Sequence, residues 1–289
     1  MRRILCILLA FALFSVWGCA AFAAVEALPP LNKTADPEGF AVLPVYLDGL
    51  LRLRGYTLRE EDYLPLNDLC ACFGVDCSWS ADDKTMHISL GNISVDGKAE
   101  QPYFTADSRY LYAPGYWFVY NGELYLPEWP VCRLFNLKSE RRESALDLDG
   151  SDFQLLRGGA DYYDLNCSME DVYWLSHIIA SEARREPLEG KIGVGNVVLN
   201  RVADPNFPDT VFDVVFDYAH TIQFEPVSKG TIHEDPSRED LIAAYLVLEG
   251  ANTAGKCIYF VNPELGSDWF DNNLQYVKDI GHHRFYVSR

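Results

Sequence analysis

Positive charge is scarce in this chain of 289 residues. Its 24 Lys and Arg face 42 Asp and Glu, so the formal net charge is −18 at pH 7. Nucleic acids and anionic membrane surfaces attract proteins through clustered cations, and the charge balance therefore counts against both as partners. It says little against a glycan, whose recognition depends on hydrogen bonds and on aromatic faces such as those of the 17 Tyr, 16 Phe and 6 Trp.

Histidine is also scarce, and its spacing argues against zinc chemistry. The six histidines offer no His-x-x-x-His or similar pair, as a zinc amidase would require. They stand at positions 87, 177, 220, 233, 282 and 283. The cluster of Cys70, Cys72 and Cys77 lacks the two-residue gap and the neighbouring histidines of a zinc motif. We therefore predict no metal site and no cofactor.

Long apolar runs are missing except at the start of the chain. Residues 4–17 are apolar, follow Arg2 and Arg3, and precede the small-residue site Ala21-Phe22-Ala23. This run is too short for a comfortable membrane span and predicts a secretory signal over residues 1–23, with no membrane span in the mature chain. A lipoprotein signal ending at Cys19 is the weaker alternative, because Trp17 occupies a position that usually takes a small residue. Residues 24–40 are predicted to be a leader.

Two of the eight cysteines lie in the predicted signal. The remaining six are Cys70, Cys72, Cys77, Cys132, Cys167 and Cys257. An even number in an exported chain permits disulfides, and buried free thiols are the alternative, since cysteine packs as a small hydrophobic residue.

Residues 168–185 are predicted to form a helix whose apolar face ends in an acid. Ser168 followed by Asp171 is a helix-start signature. The apolar residues at helical spacing are Val172, Leu175, Ile178 and Ile179, and Glu182 continues their stripe. Burial and the negative end of the helix both disfavour a charged carboxylate, so Glu182 is predicted to hold a proton near neutral pH and to act as a general acid. The alternative is a surface Glu paired with Arg185.

The chain after Glu182 predicts a mainly helical domain with a small sheet. Pro187 begins a second helix that ends near Asp204-Pro205, and its glycines 190, 193 and 195 predict close packing against another backbone. Further helices are predicted over residues 209–218 and 236–250, and strands over residues 257–261 and 285–287.

This C-terminal part resembles the catalytic domain of SleB-type, spore-cortex-lytic cell-wall hydrolases. The matching blocks keep that family's order over residues 168–289: Ser181-Glu182-Ala183-Arg184-Arg185-Glu186-Pro187, Gly190, Val197-Val198-Leu199-Asn200-Arg201-Val202, Asp204-Pro205, Phe207-Pro208, Gln223-Phe224-Glu225-Pro226-Val227, Gly230-Thr231-Ile232, Tyr259-Phe260-Val261-Asn262-Pro263 and Gly281-His282-His283-Arg284-Phe285-Tyr286. Arg185 stands where the family usually has Gly. The resemblance implies a lysozyme-like α+β fold, Glu182 as catalytic acid, and lytic transglycosylase activity.

Substrate contacts are predicted around the same blocks. The set is Gln223, Phe224, Glu225, Tyr259, Asn262 and His283. Gln223 offers a donor and an acceptor to an N-acetyl group, and Glu225 is the better candidate for a second acid. Glu186, one helical turn after Glu182, is interpreted as a solvated surface residue. A Cys-His peptidase using Cys167 or Cys257 is disfavoured, because neither has a recognisable nucleophile context.

Residues 41–150 predict a different, smaller module. Short alternating runs bounded by Asp-Gly turns predict strands at 45–47, 86–90 and 93–95. Tyr63-Leu64-Pro65, followed by Cys70 and Phe73, recurs 62 residues later as Tyr125-Leu126-Pro127, followed by Cys132 and Phe135. Each copy predicts an extended entry into a short helix, with a strand after it at 86–90 or 145–148. We therefore predict a mixed α/β module of two related halves.

The module is similar to the copper amine oxidase N-terminal-like module, because Leu64 to Leu69 and the later Trp79 keep that module's order. This resemblance implies no copper. The module is interpreted as an attachment to the wall or to a regulatory partner, with a folded spacer as the alternative. Glycine-rich residues 151–167 are predicted to form the linker to the catalytic domain at 168–289.

The sequence as a whole predicts a two-domain, α+β, secreted enzyme that degrades peptidoglycan in the cell wall or spore cortex. It would cleave the glycan strand between N-acetylmuramic acid, or its lactam, and N-acetylglucosamine. The alternatives are a hydrolytic muramidase, an N-acetylmuramoyl-L-alanine amidase, and a catalytically inactive wall-binding protein.

Overall fold

Strands dominate the first half of the protein. The structure is a computed structural model that describes residues 39–99, 101–106, 109–156, 168–217, 224, 227, 229–265 and 268–289. The first half contains β1 (Ala41–Leu47), β2 (Leu50–Leu58), β3 (Glu61–Pro65), α1 (Leu66–Phe73), β4 (Asp76–Ser80), β5 (Thr85–Leu90), β6 (Ile93–Lys98), β7 (Tyr103–Ala106), β8 (Arg109–Tyr112), β9 (Phe118–Tyr120), β10 (Glu123–Pro127), α2 (Glu128–Phe135), β11 (Lys138–Arg141) and β12 (Leu146–Asp149).

These strands form two sheets. The larger sheet has the order β11-β12-β1-β2-β3-β10-β9, and the smaller has the order β4-β5-β6-β7-β8. Neighbouring strands pair antiparallel, except that β1 pairs parallel with β12, which follows it about 100 residues later along the chain. The apolar faces of the sheets and of α1 and α2 enclose one core, which includes Leu64, Leu126, Ile88 and Phe104.

The predicted internal repeat is confirmed in the elements of this half. Each copy is a strand that leads through proline into an eight-residue helix, α1 or α2. The two strands pair antiparallel with Leu64 opposite Leu126, so the copies meet at their equivalent residues. Both helices end in the left-handed conformation, at Gly74 (φ 65°) and Asn136 (φ 52°), the two residue types that tolerate it best.

Helices dominate the second half. It contains α3 (Met169–Ala183), α4 (Leu188–Val202), α5 (Val211–Val215), α6 (Arg238–Leu248), β13 (Tyr259–Val261), α7 (Asp268–Asn273), β14 (Leu274–Ile280) and β15 (His283–Ser288), with 3-10 turns at Thr231–His233 and Pro263–Leu265. Strands β13, β15 and β14 form an antiparallel sheet in that order. The helices enclose a core that includes Leu175, Ile179, Val194 and Val247. The α+β class and the helical C-terminal domain with a small sheet are confirmed.

The predicted element boundaries were right where local chemistry sets them. Ser168 and Asp171 form a capping box at the start of α3, and Ser237 and Asp240 form one at the start of α6. The helix predicted over residues 236–250 therefore starts after this cap, at Arg238. Elsewhere the predicted lengths were too long: the helix expected over 209–218 spans only Val211–Val215, and the strand expected over 257–261 spans Tyr259–Val261. Strand β14 and helix α7 were not predicted.

The glycines of α4 permit close packing, but against side chains rather than against the other backbone that the sequence predicted. A Cβ atom at Gly193 would lie 2.8 Å from the Phe285 ring, and one at Gly195 would lie 2.8 Å from a methyl group of Val247. Both distances are shorter than side-chain contacts allow, so α4 can approach β15 and α6 only because these positions carry no side chain.

Polar contacts join the strand-rich half to α6. Arg109 of β8 donates from Nε to Glu249 Oε1 at 3.0 Å and from Nη2 to Oε2 at 3.4 Å, and Arg133 Nη2 donates to the Glu249 carbonyl at 2.8 Å. The rings of Tyr110 and Tyr245 stack with centroids 6.0 Å apart. Residues 41–289 pack as one compact unit.

The start of the predicted 151–167 linker also packs. Phe153 stacks on Phe73 with ring centroids 4.2 Å apart, and Leu155 and Leu156 are buried in the core of the strand-rich half. Residues 151–156 therefore extend that core, whereas the rest of the linker lies outside the described residues.

The state of the cysteines and the presence of membrane-spanning helices can be compared with the sequence predictions for the described residues. There, Cys70, Cys72, Cys77, Cys132 and Cys257 are free thiols, and Cys167 lies outside the description. In the same ranges no helix combines the length and the apolar character needed to cross a membrane.

Candidate active site

Glu182 lies in the last turn of α3. The helix begins at its capping box and ends at Ala183, with Arg184 as C-cap, so Glu182 stands at the negative end of the helix dipole. Its side chain is half-buried. The preceding residue is tied down, because the Ser181 hydroxyl lies 2.8 Å from the His177 carbonyl and 3.2 Å from the Thr231 carbonyl. The site therefore offers a carboxylate on a rigid element, partly removed from water.

Arg185 does not disturb this turn. It replaces a glycine of the resembled family, yet its backbone is not in the positive-φ region that would require glycine. Its side chain is exposed.

Arg201, in the last turn of α4, supplies the site with a buried cation. Its side chain is 3% exposed, and its Nε donates to the Ile258 carbonyl at 2.8 Å. Burial lowers the pKa of Arg201 to about 10, while its electrostatic interactions with Tyr259, Asp217 and Glu182 act in the opposite direction. The guanidinium thus lies within the electrostatic reach of the Glu182 carboxylate.

Two of the predicted substrate residues meet at this guanidinium. Phe224, which is buried, and Tyr259 of β13, which is half-buried, have ring centroids 5.1 Å and 5.5 Å from the Arg201 Cζ atom. Aromatic faces attract cations at such distances. The structure thus brings Phe224 and Tyr259 together, although they are distant in sequence from each other and from Arg201.

His283 lies next in the same aromatic row. The Phe260 ring is 6.4 Å from Phe224 and 5.0 Å from the His283 ring, centroid to centroid. His283 is buried, burial lowers its pKa, and its Nδ1 atom has no hydrogen-bond partner among the described residues. The neutral His283 ring therefore packs behind the surface of the site and is not exposed to solvent.

The remaining predicted contacts are less well placed. The Asn262 Oδ1 atom accepts a hydrogen bond from the Glu264 backbone at 3.0 Å, so this side chain closes its own turn. Gln223 and Glu225 lie outside the described residues, and their roles stay predictions.

Glu186 corrects the expectation of a solvated surface residue. It is only 9% exposed, and its carboxylate accepts from the His282 backbone at 2.9 Å and contacts His282 Nδ1 at 3.0 Å. A side chain at Gly281 (φ 58°) would collide with this carboxylate. Glu186 thus anchors the β14–β15 turn to the α3–α4 turn, a contact between residues 96 positions apart that spacing along one helix could not reveal.

Comparison with known proteins shows what this region is similar to. Residues 185–286 match the family model described as Cell Wall Hydrolase. This segment is therefore similar to cell wall hydrolase domains. The match begins three residues after Glu182, so it includes Arg201, Tyr259 and His283 of the site.

Curated relatives are similar to part of this chain. The spore cortex-lytic enzyme of Oceanobacillus iheyensis is 34% identical over 119 residues, which cover 41% of this chain and 42% of the relative. That of Bacillus subtilis is 32% identical over 119 residues, covering 41% of this chain and 38% of the relative. The chain thus spans about two fifths of the length of the curated relatives it matches.

One solved structure of similar length to the domain also aligns. The catalytic domain of the germination-specific lytic transglycosylase SleB from Bacillus anthracis is 29% identical and has a TM-score of 0.39. The alignment covers 42% of this chain and 98% of that chain.

Sequence reasoning missed Arg201 and Asp217 as parts of the site. Arg201 follows Val194, Val197 and Val198 at helical spacing, so a cation stands on the buried stripe of α4 just as Glu182 stands on that of α3. The helical spacing of Arg201 from these valines could have been recognised in the sequence. Asp217 is buried after the end of α5, and no periodic pattern marks it.

The described residues contain no group of three or more His, Cys, Asp or Glu side chains arranged to hold a metal ion.

Proposed function

We propose that this protein degrades peptidoglycan by cleaving the glycan strand between N-acetylmuramic acid, or its lactam, and N-acetylglucosamine, with Glu182 as the catalytic acid. The observation that carries the proposal is the position of Glu182: a half-buried carboxylate in the last turn of α3, within reach of the buried Arg201 charge and directly before the segment matched to the cell wall hydrolase family. Partial burial favours the protonated form that a general acid needs, and the helix end acts in the same direction.

A lytic transglycosylase reaction fits a site with one such acid. Glu182 would first donate its proton to the glycosidic oxygen as the bond to the leaving sugar breaks. The resulting carboxylate would then accept the proton of the muramic 6-hydroxyl while that oxygen bonds to the anomeric carbon and closes a 1,6-anhydro ring. No water is consumed, and the proton balance closes on the same residue. Glu186, the nearest acid in sequence, is unsuited to a second role because His282 binds it.

A hydrolytic reaction is the second candidate, and one observation favours it. Asp217 is buried and acts electrostatically on the same guanidinium as Glu182. Two-carboxylate glycosidases need their acids about 5–9.5 Å apart, depending on the stereochemical outcome. Asp217 and the predicted Glu225 are therefore the candidates for a second acid.

Digestion of purified peptidoglycan in ¹⁸O-water separates the two reactions. We expect anhydro-muramic ends without ¹⁸O, detected by mass spectrometry, and no inhibition by chelators. Reducing ends that carry one ¹⁸O per cut would instead identify a hydrolase, and Asp217→Asn and Glu225→Gln would then show which acid is the second. If no product of either kind forms, the proposed function is wrong.

We also propose that the enzyme is secreted, that it acts on the wall or spore cortex, and that residues 41–150 attach it there. The motivation is the predicted signal together with a folded module that lacks an acid motif. Sedimentation with purified walls tests this: the full chain should pellet, and a fragment of residues 160–289 should pellet less. Circular dichroism of the fragment is the necessary control, because α6 packs against the module. Equal sedimentation would mean that the module is not the anchor.

A further inference from the structure

Arg201 is a buried cation with an incomplete set of partners. A guanidinium carries five N–H donors, and burying a charge is costly unless hydrogen bonds and opposite charges compensate it. At 3% exposure, Arg201 bonds the Ile258 carbonyl through Nε, but its Nη1 atom is buried without a partner in the described part of the chain. Stability alone does not account for such a residue, since an apolar side chain of similar length would fill the space at lower cost.

The guanidinium contacts three separate segments at once. Phe207 follows α4, Phe224 belongs to the segment between α5 and α6, and Tyr259 lies on β13; their ring centroids are 5.3, 5.1 and 5.5 Å from Arg201 Cζ. The bond to Ile258 adds a fixed hydrogen bond beside Tyr259. The Phe207 and Tyr259 ring centroids are 6.5 Å apart, so each ring lies closer to the cation than to the other ring. The Arg201 guanidinium is therefore the group that both the Phe207 and Tyr259 rings contact.

The titratable groups around Arg201 come from several elements. Glu182 on α3, Asp217 after α5 and Tyr259 on β13 act on it. The acids of α6 are engaged elsewhere: Glu239 and Asp240 both bind Lys191. At the 3-10 turn next to α3, the exposed Glu234 pairs with Arg184. Arg201 is thus a buried positive charge within the field of Glu182.

We propose that Arg201 is a positioning residue: its guanidinium holds the Phe224 and Tyr259 rings at the Glu182 site and provides the positive charge that the Glu182 carboxylate faces. The inference rests on the proposed function, in which Glu182 must be acid in one step and base in the next. An adjacent cation stabilises the carboxylate that forms between the two steps. Of the two rings, Tyr259 is half-buried and would receive the apolar face of a sugar, whereas Phe224 is buried.

The test uses full-length Arg201→Met and Arg201→Lys. Met approximates the length of the side chain without its charge, and Lys keeps the charge without the planar fork. With soluble glycan-strand fragments as substrate, we expect Arg201→Met to raise KM about tenfold, because both rings lose a buried cation contact. Its alkaline activity limit should move up by about 0.5–1 pH unit, since removing a positive charge makes the acid harder to ionise. Arg201→Lys should restore the alkaline limit and recover part of the KM effect.

A purely structural role predicts a different pattern. Activity would then fall in proportion to the loss of thermal stability, with the alkaline limit unchanged in both variants, and the proposal would be overturned. Failure of the proposed function is distinguishable, because the wild type would then cleave no glycan. In that case ¹³C NMR titration of the Glu182 carboxylate in wild type and Arg201→Met still tests the proposal: a higher midpoint in the variant supports it, and equal midpoints refute it.

If Arg201→Met fails to fold, the same titration is made on Arg201→Lys. Its Glu182 midpoint should stay within about 0.3 pH unit of wild type because the charge is kept. A larger upward shift would overturn the proposal.

Discussion

Replacing Glu249 by Gln should measure how strongly the strand-rich half and the helical half depend on each other. The Glu249 side chain is 1% exposed and faces Arg109, which is 14% exposed, across 3.0 Å. A second cation lies close by: burial lowers the pKa of Arg133, the charge of Glu249 raises it, and the charge of Arg109 lowers it again. Glu249 thus faces two half-buried cations, and the Gln variant removes the negative charge that they share.

The size of the effect follows from this geometry. Removing one partner of a buried ion pair costs about 3–5 kcal/mol, because the other charge stays buried without compensation. Gln is nearly isosteric and keeps one acceptor oxygen for Arg109, and Arg109 is not completely buried. We therefore expect Glu249→Gln to lower the free energy of unfolding by about 2–4 kcal/mol.

Urea denaturation followed by circular dichroism is the assay. Wild type should unfold in one transition, because residues 41–289 form one compact unit, and Glu249→Gln should move the midpoint down. Adding Arg109→Met to Glu249→Gln should recover part of the loss, since the uncompensated charge goes with its partner. The matched control is Asp152→Asn. Asp152 pairs with Lys138 at 2.9 Å, but both side chains are exposed, so the midpoint should not change.

A loss of less than about 0.5 kcal/mol in Glu249→Gln would refute this reasoning, since ordinary surface substitutions reach that size. It would mean that water reaches the pair or that the two halves separate readily. The module would then be free to move as the predicted linker implies.

Three further predictions concern single titratable groups. Glu182→Gln should keep the fold and lose about 10²–10⁴-fold in turnover of glycan fragments, because the amide cannot donate the proton; a variant with a tenth of wild-type turnover would exclude Glu182 as the acid. Burial lowers the pKa of His283, so below pH 6.5 the unfolded chain binds a proton that the folded chain rejects, and stability falls with falling pH. His283→Gln should flatten this slope in urea midpoints by up to about 1.4 kcal/mol per pH unit, and an unchanged slope would contradict it. Burial raises the pKa of Glu123 to about 7 from 4.5, so the folded chain holds that proton more tightly and wild type loses stability as pH rises through this window. Glu123→Gln still accepts the Asn67 N–H, at 2.6 Å in wild type, and should be more stable than wild type at pH 8 but not at pH 4.

Local chemistry made much of the fold predictable. The capping boxes of α3 and α6, the proline before α4 and the apolar stripes ending in Glu182 are written within a few consecutive residues. The repeat was also visible, because equal spacing of Leu64 and Leu126 from their helices implies equal structures. Such features need no knowledge of what lies far away in the chain.

Long-range pairing was not predictable in this way. The parallel pairing of β1 with β12 and the contact of Arg109 with Glu249, 140 residues apart, depend on how complete elements pack. Glu186 shows the same limit at the site. Its sequence neighbours favour a solvated residue. Its burial depends on the contact with His282, which the β14–β15 turn places next to the Glu186 carboxylate.

The carboxylates around the site differ in what the fold allows them to do. Glu186 accepts from the His282 backbone and contacts the His282 ring, so it serves as the anchor of a turn. Glu234 is exposed and paired with Arg184. Glu182 combines partial burial and a helix C-terminus, which favour its protonated form, with the opposing charge of Arg201, which favours its ionised form. A group that must give a proton in one step and take one back in the next needs both influences in balance. Under the role proposed for Glu182, that balance would account for the buried Arg201 in α4.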